Sequence, residues 1–134
     1  MTLRILNLTP HHLVVFDEHD EPHVDRAPDG PPARVEEVRS GVVATSTELG
    51  ELPFVDVAYA EDVTGLPAPQ PDVRYVVSRV TAAALIGRRD DLLFPVDEVR
   101  DERGTPIGCR ALGRFVPLAG LRPGSGAAPQ PEDT

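Results

Sequence analysis

The run Val73-Arg74-Tyr75-Val76-Val77 constrains this chain more than any other segment. Its residues are β-branched or aromatic at every position but one, so it reads as a strand. It passes without a linker into Ser78-Arg79-Val80-Thr81-Ala82-Ala83-Ala84-Leu85. Ser78 suits a helix N-cap, the alanines suit a short helix, and Gly87 suits its end. Arg88-Arg89-Asp90-Asp91 then leads into the apolar Leu92-Leu93-Phe94-Pro95. Val96–Arg100 and Ile107–Leu112 flank Glu102-Arg103-Gly104, the clearest hairpin in the chain. A strand, a helix start and four alternating-sign charges thus share one short span.

Upstream, Leu3–Asn7 and His12–Asp17 read as strands separated by Thr9-Pro10. Glu18–Pro22 is a polar turn, and residues 26–32 form a loop rich in Pro and Gly. Ala33–Arg39 fits either a short helix or a strand. The strand is favoured, entering a Ser40-Gly41 turn towards Val42–Thr45, because seven residues make a marginal helix. Pro53–Ala60 alternates, with Val55, Val57 and Tyr59 on one face. Gly65–Pro71 is an extended Pro-rich connection, and residues 120–134 lack periodicity and read as a disordered tail. The expectation is one α+β domain over residues 1–119, mainly antiparallel β with one short helix. An antiparallel sheet is expected in preference to a parallel one, because the connections look too short and too rarely helical for βαβ crossovers.

Composition limits the partners. The chain has 134 residues and a formal net charge of −9. Such a chain repels phosphate backbones, so no nucleic-acid role is expected. All 13 basic residues are Arg. That reflects either a compositional bias or the preference of guanidinium for carboxylate and phosphate forks. One cysteine, Cys109, excludes an internal disulfide and any multi-cysteine metal site. Residues 1–6 lack a signal-peptide pattern, and no apolar run reaches a membrane span. A soluble cytoplasmic protein is expected, with no membrane, metal or cofactor.

Several residues invite chemical readings. His11, His12, His19 and His23 suggest metal, but adjacent strand residues point to opposite faces and no Cys or carboxylate frame sets the spacing. Asn7-Leu8-Thr9-Pro10-His11 either lines a pocket or organises a turn through side-chain to backbone hydrogen bonds. Ser78-Arg79 is either an anion site at a helix start or a plain cap, and no Gly-x-Ser-x-Gly frame marks Ser78 as a nucleophile. Arg88-Arg89-Asp90-Asp91 is either an Arg fork beside acid–base carboxylates or a solvated loop with weak ion pairs. Cys109 reads as a small buried hydrophobe in preference to a reactive thiol.

The order of Asn7-Leu8-Thr9-Pro10-His11, Tyr75-Val76-Val77-Ser78-Arg79, Arg89-Asp90-Asp91-Leu92, Pro95, Arg100-Asp101 and Gly108-Cys109 resembles a group of small uncharacterised proteins of bacteria, especially actinobacteria, and their phages. The resemblance covers residues 3–112 and implies a compact single domain, phage-related in setting. It carries over no activity and no site residue.

The expected function is a non-enzymatic accessory protein that binds a small anionic ligand or a protein partner. Ser78, Arg79, Arg88, Arg89, Asp90 and Asp91 would form the contact region, with Asn7 and His11 beside it. The alternative is a small hydrolase or nucleotide-processing enzyme. There His11 would be the general acid or base, Asp90 or Asp91 its orienting group, and Arg88 the stabiliser of developing charge. A third reading is an interaction protein that pairs through an exposed strand edge. Convergence of His11, Ser78 and Asp90 in one cleft would favour the enzyme. Convergence of the arginines without a His would favour a binding pocket.

Overall fold

The computed structural model describes residues 2–121. The chain is mainly β with one short helix. Strands β1 (Arg4–Asn7), β2 (Leu13–Phe16) and β3 (Pro22–Arg26) come first, then β4 (Arg34–Arg39), β5 (Val43–Thr47), β6 (Gly50–Phe54) and β7 (Val57–Thr64). β8 (Val73–Val76), helix α1 (Arg79–Ala84), β9 (Leu92–Arg100) and β10 (Pro106–Gly113) complete the domain, followed by a 3-10 turn at Leu118–Gly120. Among these helices none is long and apolar enough to cross a membrane. The expected tail lies outside the described residues beyond position 121.

Six strands form one sheet in the order β1-β8-β9-β10-β2-β3. β1 runs parallel to β8, β8 to β9, and β10 to β2, whereas β9–β10 and β2–β3 are antiparallel. The expectation that no βαβ crossover would form is therefore corrected. The 15 residues between Val76 and Leu92 hold α1 and suffice for a crossover, which needs only about a dozen. The connection reads as too short and too rarely helical for a crossover, yet a six-residue helix completes it. The helix suffices because the sheet, not helix propensity, stabilises it.

β8 lies second in the sheet, between β1 and β9, and is buried on both faces. Tyr75 and Val77 point into a cluster with Leu8, Ala33, Ala82, Leu85, Leu92 and Phe94. Val76 points the other way, into a cluster with Leu13 and Cys109 backed by Ile5, Val15, Leu93 and Leu112. This is the period of two that a strand imposes, filled with apolar residues on either side. Leu85 is almost wholly buried and pins α1 to the first cluster. Gly108 is the point of closest approach between β10 and β2. A Cβ there would stand 2.7 Å from the Val14 carbonyl oxygen and 2.6 Å from the Phe16 ring.

β1 and β2 lie four places apart in the sheet but are joined by only Leu8–His12. Four strand spacings are about 19 Å, close to the full reach of such a link. The link is bent, not extended, so the sheet must curl. Asn7 fastens the curl. Its buried side chain donates to the carbonyls of His11 (2.8 Å) and Arg26 (3.0 Å) and accepts from the Thr9 amide (3.0 Å) and hydroxyl (2.8 Å). Its amide donates to Asp29 Oδ2 (2.7 Å), and its carbonyl accepts from the Asp29 amide (2.8 Å). The two edge strands β1 and β3 are thereby tied at one end.

The remaining strands build a ribbon outside the sheet. β4 pairs antiparallel with β7 as its stem, and β5 pairs with β6 as its tip. β4 was expected to turn back on residues 42–45. It instead continues into them through a bend at Ser40, where Asp56 exchanges two hydrogen bonds with Ser40. The outer strands β4 and β7 then pair at a distance that short-range turn signals do not encode. The β9–β10 hairpin follows expectation, with Gly104 at φ +82° and Asp101 accepting from the amides of Arg103 and Thr105.

Removal of the Asn7 side chain takes a donor from the His11 and Arg26 carbonyls and the acceptor from the Thr9 amide. Asn7→Ala is expected to lower the unfolding free energy by about 2–4 kcal/mol in urea titration. The Arg26 guanidinium and the Asn7 amide hold Asp29 below its ordinary pKa of 3.8. Asp29 thus contributes stability that is fully present above 3.8 and lost as pH falls through its folded value. Acid titration of Asp29→Asn should show a shallower loss of stability below pH 3.8 than the parent does.

Candidate functional site

The candidate residues fall into separate places. His11 and Ser78 line one groove of about 620 Å³, together with Thr9, Pro95, Ile107 and Gly108. His11 projects from the bent link, and its ring makes no hydrogen bond or ion pair among the described residues. The Ser78 hydroxyl is committed. It accepts from the Thr81 amide (3.1 Å) and donates to the Thr81 hydroxyl (2.9 Å), which caps α1. With six residues, α1 has too small a dipole and too few free amides to make an anion site by itself.

Arg79, next in sequence, is turned away from that groove. Its guanidinium lies 5.0 Å from the centroid of the Phe94 ring and 5.5 Å from that of Phe115. The two rings are themselves stacked at 4.5 Å. Arg79 therefore sits on an aromatic platform, where a guanidinium is held by the ring quadrupoles.

A second cleft of about 680 Å³ is lined by Ile86, Arg88, Arg89, Asp90, Arg114 and Phe115. Arg88 is exposed and spends one nitrogen on the Glu61 carbonyl (2.6 Å). Arg89 is committed: Nε and Nη2 grip the two oxygens of Asp91 at 2.9 and 2.7 Å, and Nη2 also reaches the Pro67 carbonyl at 2.9 Å. Asp91 is buried, and its backbone carbonyl accepts from Tyr75 (3.0 Å). This pair is thus not a solvated surface contact. It anchors the Pro-rich connection and the start of β9 to β8. Arg114, which sequence reasoning missed, completes the cleft. It lies beyond the β10 strand with nothing local to mark it, and only the fold brings it beside Arg88.

The groupings decide what chemistry the residues can do. His11 and Asp90 line different cavities, and Asp91 is neutralised by Arg89, so neither aspartate is set beside His11. Asn7 is sealed in the corner described above. Cys109 is buried, donates to the Val14 carbonyl at 3.6 Å, and has its thiol pKa pushed up by burial. A thiol so placed is a poor nucleophile. His12 pairs with Asp25 at 2.7 Å on the β2–β3 hairpin. Among the described residues no three metal-binding side chains converge. Arg88, Arg89 and Arg114 do share a cleft, and no His lines it.

The chain matches no protein-family model, no curated protein and no solved structure.

The buried Arg89–Asp91 pair yields a sharp test. Arg89→Met strands a buried carboxylate and is expected to cost about 3–5 kcal/mol in chemical denaturation. The double variant with Asp91→Leu should recover most of that loss, since neither charge then stays unpaired.

Proposed function

We propose that the protein is a non-catalytic binding protein that takes a small anion-bearing ligand in the Arg88–Arg114 cleft. The observation that carries this reading is the gathering of three guanidinium groups in one cleft of a chain whose net charge is −9. Arg89 is held by Asp91, which leaves Arg88 and Arg114 to meet the ligand, with Asp90 at the margin. A guanidinium fork matches a carboxylate or phosphate in two-point fashion. Phe115 and Ile86 offer apolar contact to the ligand's uncharged part. The volume lies within the range of small-molecule pockets. The acidic surroundings would reject bulk polyanions and admit a compact anion that reaches the forks.

The hydrolase reading needs Asp90 or Asp91 beside His11, and neither lines the groove that holds His11. His11 and Ser78 share a groove, but the Ser78 proton is spent on Thr81.

A thermal-shift screen with inorganic phosphate, citrate and nucleoside phosphates tests the proposal. A true ligand at about 100-fold its Kd should raise Tm on the order of 10 °C. Arg88→Gln and Arg114→Gln, both at exposed positions, should leave the unliganded Tm unchanged and abolish the shift. No stabilisation by any anion, or a shift that survives both substitutions, would sink this reading.

A further inference from the structure

The charges around the Arg88–Arg114 cleft nearly cancel. Arg88, Arg89 and Arg114 are opposed by Asp90, which lines the cleft, and by Asp91, which Arg89 grips with two nitrogens. The Arg89–Asp91 pair is neutral, and Asp90 offsets one of the two remaining guanidinium groups. One positive charge is left unbalanced. Arg88 gives a single nitrogen to the Glu61 carbonyl, and Arg114 makes no hydrogen bond or ion pair among the described residues. A guanidinium has five donors, so each of the two keeps donors for a ligand.

The rest of the wall is apolar, formed by Ile86, Phe115, Val116 and Pro117. Ile86 is 56% exposed and Val116 37%. One precedes β9 and the other follows β10, so the closed hairpin sets them around the same cleft. A single exposed apolar residue needs no explanation, but two gathered beside free arginines form a patch. Phe115 is half-buried. Its ring is backed by Phe94 at 4.5 Å and by the Arg79 guanidinium at 5.5 Å. This part of the wall is therefore fixed before any ligand arrives.

We propose that the ligand is an amphipathic monoanion, one carboxylate carried on an uncharged aliphatic or aromatic body, a class that rests on the anion site proposed above. One unbalanced positive charge matches one carboxylate. Asp90 repels a second anionic group held in the same small space. Arg88 and Arg114 supply the forks. Ile86, Val116 and Phe115 cover the body, and the apolar surface removed from water on both sides favours binding. Inorganic phosphate and citrate use the forks alone, and a neutral alcohol uses the apolar wall alone. All three are weaker partners than a carboxylate with a long tail.

Titration of the unaltered chain with acetate, butanoate, hexanoate and octanoate, followed by amide chemical shifts, tests this. Shifts should move at residues 86–90 and 114–117. Affinity should rise about fourfold for each methylene fully covered and about twofold for each half covered. Octanoate should thus bind at least about tenfold tighter than butanoate, citrate or inorganic phosphate. 1-Hexanol should bind at least about tenfold more weakly than hexanoate, because it cannot make charge-assisted bonds to the forks. Ile86→Ser combined with Val116→Ser should flatten the chain-length series and leave phosphate affinity unchanged. Phosphate or citrate bound in the cleft as tightly as octanoate, or a series flat from butanoate to octanoate, would overturn the monoanion class and leave the anion site standing. Hexanol bound as tightly as hexanoate, or no anion moving those shifts, would overturn the anion site and this class with it.

Discussion

The buried amide of Asn7 is the constraint on which the fold depends. A six-stranded sheet whose edge strand β1 is joined to β2, four places away, by a five-residue link can close only if the chain turns sharply at that link. Asn7 makes the turn and satisfies it in the same stroke. Its carboxamide has two donors and two acceptor positions, and each finds a partner among Thr9, His11 and Arg26. An aspartate there would lack the donors, and an apolar residue would leave the Arg26 carbonyl and the Thr9 amide without this partner. Asp29 continues the same network, held by the Asn7 amide and by Arg26.

From that corner the rest of the domain follows. β8 runs between β1 and β9 with apolar residues on both faces, and its two faces pack into the two clusters. The parallel β8–α1–β9 unit brings Ser78 and Arg79 to one end of the sheet. The Arg89–Asp91 grip then fixes the chain as it enters β9, and Arg88, which gives one nitrogen to the Glu61 carbonyl, stands beside Arg114. Polar residues that the sequence crowds together are thus divided by the fold into structural and accessible groups. Asn7, Ser78, Arg89 and Asp91 hold the scaffold. His11, Arg88, Asp90 and Arg114 face the cavities.

Much of the local structure was legible in the sequence. The Val73 strand, the Ser78 cap, the Glu102–Gly104 turn and the burial of Cys109 all follow from short-range chemistry, and each is where those rules put it. What could not be read was long-range. β3 is led by a proline and is exposed throughout, so neither propensity nor alternation marks it. β4 seeks β7 across an inserted hairpin, a pairing set by the ribbon as a whole. The parallel register depends on a curl that only Asn7's partners reveal, and Arg26 and Asp29 lie about twenty residues away. Site residues suffered the same limit. Adjacent charges looked like one cluster, but Arg89 turns inward to Asp91, and its neighbour Arg88 turns outward.

Native-state hydrogen exchange tests the central role of Asn7 most directly. If Asn7 closes the sheet, the amides of Thr9, held by its side chain, and of Asp29, held by its backbone carbonyl, should exchange only through global unfolding, at the same free energy as Tyr75 and Val77. Exchange of Thr9 and Asp29 at rates typical of surface loops, with Tyr75 and Val77 still fully protected, would contradict the account.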